Sequence, residues 1–170
     1  MWSGTVIRLE PAASPSDVDS IRVLFQEYAD SLGVNLEYQG FDEELRNLPG
    51  PYAPPSGTLL LARKDNDVIG CVGVRGLDAV TAEMKRLYVR PSGRGAGLGR
   101  TLAEAAIEFA RSSGYERMRL DTLPQMGRAQ DLYKTLGFVT IDPYRFSPVP
   151  GTVFLELALK RDDPAGDRTL

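Results

Sequence analysis

Residues 89–100 of the chain read Val-Arg-Pro-Ser-Gly-Arg-Gly-Ala-Gly-Leu-Gly-Arg. Before this stretch, residues 79–89 alternate as in an extended strand, and after it apolar residues recur at helical spacing. The stretch therefore predicts the end of a strand, a tight loop and the first turn of a helix. Glycines let backbone N–H groups approach a ligand without a Cβ in the way, and a helix N-terminus favours an anion. Because Arg94 and Arg100 add positive charge, the stretch predicts a phosphate-binding loop.

The glycines also allow other interpretations. One is a structural strand-to-helix turn without a ligand, although such a turn rarely needs so many glycines. A P-loop is excluded because no Gly-Lys-Ser/Thr ends the run. A dinucleotide site is a remote alternative, since Asp121 ends the next predicted strand about where a ribose-binding acid is expected. The spacing Gly95-x-Gly97-x-Gly99 differs from G-x-G-x-x-G, and the preceding strands form an antiparallel meander, so both features count against this alternative.

The composition predicts an ordinary folded domain. The chain has 170 residues, of which 42% are hydrophobic and 25% are charged, and its formal net charge is -3. We expect one domain over residues 1–160, a polar tail over 161–170, and neither general nucleic-acid binding nor a basic membrane-docking face. No apolar run approaches the roughly 20 residues that cross a bilayer, and no signal peptide is recognisable, so the protein is predicted to be cytoplasmic.

The chain contains no histidine and one cysteine. Without histidine there is no Ser/His or Cys/His nucleophilic dyad, and the commonest zinc ligand is missing, so we expect no metal site. Acid–base chemistry must then come from Glu, Asp, Tyr, Lys or water. Cys71 lies in the apolar run Val68-Ile-Gly-Cys-Val72, which predicts a buried structural thiol and not a nucleophile.

The other segments carry alternating strand and helix signals. Ser14 is a predicted N-cap with Pro15 at the first helical position, and the apolar stripe that follows stops before Gly33. Residues 33–57 are predicted to be mainly irregular because their prolines forbid a regular ladder, with a short helix around 41–48. Further helices are predicted at 97–113 and 125–136, and strands at 4–10, 58–64, 67–75, 79–89, 115–121, 138–142 and 151–160.

Connection lengths predict how these strands pair. Short connections make the three strands between residues 58 and 89 antiparallel neighbours. The helix at 97–113 supplies a crossover, so the strand at 115–121 is predicted to run parallel to the strand at 79–89.

Three segments together resemble the GCN5-related N-acetyltransferase (GNAT) superfamily, and their order and spacing match it as well. They are Glu83-Met-Lys-Arg-Leu-Tyr-Val89, Arg94-Gly-Ala-Gly-Leu-Gly99 and Ala129-Gln-Asp-Leu-Tyr-Lys-Thr-Leu-Gly-Phe138. The resemblance implies an α/β (α+β) fold, with a central mixed, mostly antiparallel sheet of about six or seven strands flanked by about four helices. It also implies that the strand before the Gly-rich loop splays from its parallel neighbour.

The resemblance implies acetyl-CoA as cosubstrate. In the family, the loop wraps the pyrophosphate and the backbone of the preceding strand pairs with the pantetheine arm. The residues predicted to bind acetyl-CoA are therefore Leu87, Tyr88, Val89, Arg94, Gly95, Ala96, Gly97, Leu98, Gly99 and Arg100. One position departs from the family pattern, since members often have Asn where this chain has Met126, and a polar contact to the pantetheine or to a bound water is missing there.

The resemblance also implies direct attack of an amine on the thioester, without a covalent enzyme intermediate. Tyr133 matches the family tyrosine beside the CoA sulfur, where its phenol can protonate the thiolate; the alternative is a core aromatic of an amphipathic helix. Glu83 matches a glutamate that is the base in some members; the alternative is a structural carboxylate paired with Lys85. A backbone N–H near Tyr88 or Val89 is expected to polarise the carbonyl.

The predicted acceptor is the primary amine of a small molecule. Asp121-Thr-Leu-Pro124 and the Pro-Val-Pro-Gly loop resemble members grouped as small-molecule acetyltransferases. Acceptor contacts are expected from the loops at 33–57 and 143–151. The alternative function is a non-catalytic acyl-CoA-binding or sensing module, and the oligomeric state stays open between a monomer and a homodimer.

Aromatic residues in the first of these loops allow two interpretations. Tyr38, Phe41 and Tyr52 either line a substrate pocket or fill gaps at the edge of the core, and the second interpretation is favoured.

Overall fold

Seven strands form one mixed sheet in the computed structural model, which describes residues 6–159. They are β1 (Ile7–Pro11), β2 (Thr58–Lys64), β3 (Asp67–Gly76), β4 (Thr81–Val89), β5 (Arg117–Thr122), β6 (Val139–Ile141) and β7 (Val153–Ala158). Their order in the sheet is β1-β2-β3-β4-β5-β7-β6. Neighbours are antiparallel except β4 and β5, which run parallel. The predicted mixed sheet with one parallel pair is confirmed.

Four α-helices connect the strands, together with short 3-10 turns. The α-helices are α1 (Pro15–Ser31), α2 (Phe41–Arg46), α3 (Leu98–Ser112) and α4 (Gly127–Thr135). As predicted, α3 is the crossover that allows β4 and β5 to run parallel. Among the helices between residues 6 and 159, none combines the length and apolar character needed to cross a membrane. The cytoplasmic location stays a prediction.

The first strand ends later than the sequence predicts. Within the described residues it begins at Ile7 and continues to Pro11, which pairs with Leu60. Proline is accommodated there because β1 is an edge strand. Residues 4 and 5, the final residue of the strand predicted at 151–160 and the polar tail predicted at 161–170 lie outside the described residues.

The N-terminus of α1 has the predicted capping box. The Ser14 hydroxyl accepts a hydrogen bond from the backbone N–H of Asp17 at 3.0 Å, and the Asp17 carboxylate accepts one from the backbone N–H of Ser14 at 3.2 Å. The reciprocal pair satisfies two donors that a helix end otherwise leaves free. The cap thereby fixes where α1 begins against the sheet.

Replacing Ser14 by alanine should lower the free energy of unfolding by about 1 kcal/mol, because the Asp17 N–H loses its acceptor. Urea denaturation monitored by circular dichroism measures this change. Ser16→Ala, at an exposed position in the same helical turn, is the matched control and should leave the stability unchanged. An equal loss in both variants would show that the cap contributes nothing specific.

The sheet carries a hydrophobic core on each face. One core lies against α3 and includes Val72, Met84 and Leu102, while the other lies against α1 and includes Phe25 and Cys71. Phe41 and Tyr52 also belong to the second core, with 4% and 0% of their surface exposed. The core interpretation of these two aromatic residues is therefore confirmed, as is the buried position of the Cys71 thiol.

A bulge in β4 changes which side chains face each core. Arg86 has a positive φ of 59°, and the register with β3 shifts between Cys71 and Gly73. Met84 and Leu87, three residues apart, therefore pack against the same core instead of opposite ones. The extra residue leaves Lys85 and Arg86 together beside the bulge.

β4 and β5 separate after a short stretch of pairing. Their parallel register covers three pairs and ends with Glu83 opposite Arg119, although both strands continue for several residues within the described chain. On its other side, β5 stays paired with β7 as far as Thr122. The sheet therefore opens into a gap between the second half of β4 and the end of β5, which confirms the predicted splay.

Candidate active site

The Gly-rich loop places free backbone donors at the start of α3. Gly97 is the N-cap of α3, and both it and Gly95 lie in the left-handed region, with φ of 71° and 90°. The first N–H that donates within the helix is that of Thr101, at 3.1 Å from the Gly97 carbonyl oxygen. The N–H groups between these positions have no backbone acceptor among the described residues. This end of α3 is suited to an anion.

A groove of about 880 Å³ runs from this loop along the open edge of β4. It brings together nine of the ten residues predicted to bind acetyl-CoA: Leu87, Tyr88, Val89, Arg94, Gly95, Gly97, Leu98, Gly99 and Arg100. Ala96 is exposed at the tip of the loop and does not line the groove. The sequence thus predicted the side of the groove formed by β4 and the Gly-rich loop, while the binding of acetyl-CoA there stays a prediction.

The two predicted arginines are held in different ways. The Arg94 Nε donates to the carbonyl oxygen of Val89 at 3.2 Å, which ties the loop back to β4. Arg100 forms an ion pair with Glu104 at 2.8 Å and donates to the Thr135 hydroxyl at 3.2 Å. Arg100 is therefore already shared with two partners on α3 and α4, while Arg94 lines the groove with only its Nε bonded to a described residue.

The sequence did not reveal Arg128, a third arginine of the groove. It lies in the first turn of α4, whose N-cap is Met126 and has no side-chain hydrogen bond. The first N–H that donates within this helix is that of Gln130, at 3.0 Å from the Met126 carbonyl oxygen. A second uncapped helix N-terminus therefore faces the groove. Only the tertiary packing of α4 beside α3 brings the two ends together.

A small cavity of about 30 Å³ adjoins the groove at the gap between β4 and β5. Tyr28, Leu87 and Met126 line both spaces, so they mark the junction. The cavity extends from there between the end of β5 and the segment around Tyr38, which belongs to the 33–57 loop. Contact between this loop and the acceptor stays a prediction. A ligand in the groove and a ligand in the cavity would meet at this junction.

Tyr133 lines the cavity. It is 6% exposed and packs edge-on against Phe138, with ring centroids 5.7 Å apart. Its hydroxyl forms no hydrogen bond with another described residue. Burial, together with the nearby Tyr28 and the Asp121 charge, raises the pKa of Tyr133, so the phenol is protonated at neutral pH.

Glu83 does not line the cavity and is fully buried, with a carboxylate oxygen 3.9 Å from Nζ of the lining residue Lys85. One carboxylate oxygen accepts from Arg75 at 2.9 Å, and the other accepts from the Tyr144 hydroxyl at 2.5 Å and from Arg145. Burial alone would raise the pKa of Glu83, but the positive charges of Lys85, Arg145 and Arg75 outweigh it and hold the pKa below its usual value. Glu83 therefore anchors the 143–151 loop to the sheet. Its role as the base stays a prediction.

Two cations on β4, Lys85 and Arg86, line the cavity. From the sequence, Lys85 was expected only as a partner of Glu83. The Lys85 side chain is 4% exposed, and burial, with the neighbouring Arg86 charge, lowers its pKa to about 8. Arg86 donates to Glu44 at 3.0 Å and to Gln39 at 2.8 Å. Two successive charged residues in β4, where side chains should alternate between the two faces of the sheet, were the available signal.

Asp121 is a further carboxylate on the cavity wall. It lies near the end of β5, after the point where β5 has separated from β4. No described residue forms an ion pair or a side-chain hydrogen bond with it. From the sequence, Asp121 was not predicted to act on the acceptor, because its position relative to Lys85 depends on the register in which β5 pairs with β4 and on the point where they separate.

Comparisons with known proteins agree with this geometry. A family model described as the acetyltransferase (GNAT) family matches residues 21–138. An uncharacterized N-acetyltransferase of Schizosaccharomyces pombe is 39% identical over 95% of this chain and 100% of its own length. An uncharacterized N-acetyltransferase of Dictyostelium discoideum is 29% identical over 84% of this chain and 95% of its own length.

Solved structures show the same fold. An acetyltransferase of the GNAT family from Staphylococcus aureus superposes with a TM-score of 0.76 at 20% identity, covering 91% of this chain and 100% of that one. An acetyltransferase from Salmonella typhimurium, solved with its cofactor acetyl-CoA, has a TM-score of 0.64 at 23% identity and covers 95% of this chain and 98% of that one. With the family model matching more than half of the sequence and a relative similar along nearly all of it, the chain belongs to the GNAT family of acetyltransferases.

Proposed function

We propose that this enzyme transfers the acetyl group of acetyl-CoA to the primary amine of a small molecule, by direct attack of the amine on the thioester. The observation that carries the proposal is the junction of the two spaces at Tyr28, Leu87 and Met126. The groove is long and bordered by arginines, as a nucleotide with several phosphates requires. The cavity is small and polar on one side, which suits a small acceptor.

The groove residues fit acetyl-CoA. Free N–H groups at the starts of α3 and α4 would hold the pyrophosphate, with Arg94 and Arg128 adding charge. The open edge of β4 offers the backbone of Leu87 to Val89 to the pantetheine arm, because β5 has already turned away. When bound, acetyl-CoA supplies an activated acetyl group as a thioester. The resemblance to the family and this geometry both support acetyl-CoA as the acetyl donor.

Tyr133 is the proposed acid. Transfer forms a C–N bond and breaks the C–S bond, so the departing thiolate needs a proton. The Tyr133 phenol is protonated, lines the cavity that adjoins the groove and has no described partner that competes for its proton. A backbone N–H near Tyr88 or Val89 would polarise the thioester carbonyl.

Asp121 is the proposed proton acceptor for the amine. An ammonium group must lose one proton before it attacks and a second as the amide forms. The Asp121 carboxylate lines the cavity with free oxygens, whereas those of Glu83 are held by Arg75, Tyr144 and Arg145. A carboxylate with occupied oxygens is a weak base. We therefore assign proton removal to Asp121 and a positioning role to Glu83, in place of the base predicted from the sequence.

Asp121→Asn should lower kcat by about 100-fold without changing the melting temperature, because the amide keeps the shape but cannot take a proton. Glu83→Gln should instead lower the free energy of unfolding by about 2 kcal/mol, since Arg75 and Arg145 lose their shared carboxylate while solvent still reaches both. Steady-state kinetics and thermal denaturation of both variants measure these effects. A large fall in kcat for Glu83→Gln alone, with a flattened pH profile, would restore Glu83 as the base.

The release of CoA thiol from acetyl-CoA against a panel of amines tests the function itself. We expect release that depends on both enzyme and amine. The alternative of a non-catalytic acyl-CoA-binding module predicts that acetyl-CoA raises the melting temperature while no amine causes release. The GNAT family membership disfavours that alternative but does not name the acceptor.

A further inference from the structure

We propose that the acceptor carries a carboxylate in addition to its primary amine, as an amino acid does, and that Lys85 and Arg86 bind this carboxylate. The inference rests on the proposed function, because it names the class of substrate that enters the small cavity. The evidence is the hydrogen bonding and charge of the cavity wall.

Lys85 is a buried cation without a hydrogen-bond acceptor among the described residues. Its closest carboxylate oxygen is that of Glu83, and the 3.9 Å between this oxygen and Nζ is too long for a hydrogen bond. An ammonium group has three donors, and leaving them unmet inside a protein is unfavourable. Because Lys85 lines the cavity, an anion bound there would supply the missing acceptor.

Arg86 is a second cation with an unmet donor. Its Nε and Nη1 are bonded to Glu44 and Gln39, but its Nη2 is fully buried without a partner. The guanidinium lies over the ring of Phe41, 5.1 Å from its centroid, so it is held in place. The bulge at Arg86 puts this group next to Lys85 on the cavity wall. Because Nη2 is closed to the cavity, Arg86 contributes its positive charge to the site, and Lys85 contributes the hydrogen-bond donors for a carboxylate.

The charges around the cavity do not balance. Glu44 neutralises Arg86, and Asp121 faces Lys85 across the gap. Glu83 is shared between two guanidinium groups, those of Arg75 and Arg145, so one positive charge is in excess among the described residues. A monoanion compensates that charge, whereas a dianion would overcompensate it. The cavity of about 30 Å³ also suits a group as small as a carboxylate.

The reactive form of an amino acid fits this balance. With its amine deprotonated for attack, an amino acid carries one negative charge, whereas a simple alkylamine carries none and its ammonium form adds to the excess. The positive charge of the cavity wall also favours loss of a proton from the ammonium group of the amino acid. With the carboxylate on Lys85 and Arg86, the amine would lie towards Asp121 and Tyr133, which line the same cavity.

The test compares amino acids with amines that lack only the carboxylate. L-leucine is paired with isopentylamine, L-methionine with 3-(methylthio)propylamine and L-phenylalanine with 2-phenylethylamine. For at least one pair we expect kcat/KM to be about 50-fold higher for the amino acid, as for a charged hydrogen bond. Lys85→Met should reduce this ratio to about 3-fold or less by raising KM for the amino acid alone, and Lys85→Arg should restore part of it.

A binding measurement keeps the proposal testable if none of these compounds is turned over. With CoA present, the amino acid should raise the melting temperature of the wild type but not of Lys85→Met, and the paired amine should raise neither. Lys134→Met, on the exposed side of α4, is the matched control and should behave as wild type. An equal kcat/KM for both members of every pair would overturn the carboxylate site while leaving the proposed function intact. If no member of any pair binds, the carboxylate site is overturned as well. Failure to bind acetyl-CoA would overturn the function.

Discussion

Replacing Gly97 by glutamate is expected to abolish the binding of acetyl-CoA. Gly97 is the N-cap of α3 with a φ of 71°, a conformation that residues with a Cβ rarely adopt. No atom lies within 4 Å of a Cβ built there, so the new carboxylate would project into the open groove. Because it would repel the pyrophosphate, the dissociation constant should rise by at least about 100-fold. Isothermal titration calorimetry with acetyl-CoA measures the change.

Two further substitutions separate the causes of this loss. Gly97→Ala introduces the backbone strain without the charge and should weaken binding by about 10-fold. Gly50→Glu adds the same charge at a glycine that also has a positive φ and open space around it, but that lies outside the groove. It should bind acetyl-CoA as the wild type does. Normal binding by Gly97→Glu would mean that the Gly-rich loop does not hold the phosphates.

Replacing Tyr133 by phenylalanine is expected to lower kcat by about 100-fold or more, because the thiolate loses its proton donor. Phenylalanine keeps the edge-on contact with Phe138, and the hydroxyl it removes has no described partner, so the fold should be unaffected. KM for acetyl-CoA should change little, since the pyrophosphate contacts lie elsewhere in the groove. Steady-state thiol-release kinetics at saturating substrates measure the effect.

Tyr115 supplies the matched control for this variant. It is also a buried tyrosine, but its hydroxyl donates to the carbonyl oxygen of Ser56 at 2.7 Å, and it lines neither the groove nor the cavity. Tyr115→Phe should lose some stability and keep its kcat. If kcat of Tyr133→Phe stayed within about threefold of wild type, Tyr133 would be a core aromatic and another donor would protonate the thiolate.

The sequence predicted most of the fold because its signals are local. The capping box at Ser14 and the crossover helix after the Gly-rich loop each follow from neighbouring residues, and they determine where the elements begin and which strands run parallel. One side of the groove was predicted for the same reason, because its residues are nearly contiguous between Leu87 and Arg100. The other side, formed by Tyr28 and the start of α4, reaches the groove only through tertiary packing.

The acceptor side of the site was less predictable because it depends on contacts between distant segments. Arg86 reaches Glu44 and Gln39 only through the bulge in β4, and a single residue with positive φ leaves no clear mark in the sequence. The separation of β5 from β4 exposes Asp121 to the cavity, and the loop that carries Arg145 folds back onto Glu83. These contacts explain why Glu83, which the sequence predicted as the base, is instead held by the guanidinium groups of Arg75 and Arg145.

A crystal structure of the complex with CoA would test the central claim most directly. We expect the pyrophosphate on the N–H groups at the start of α3, the pantetheine along the open edge of β4, and the sulfur at the junction of groove and cavity. There the sulfur should lie within hydrogen-bond reach of the Tyr133 hydroxyl, directly or through one water molecule. A complex with the phosphates away from Gly97, or with the sulfur remote from Tyr133, would contradict the account.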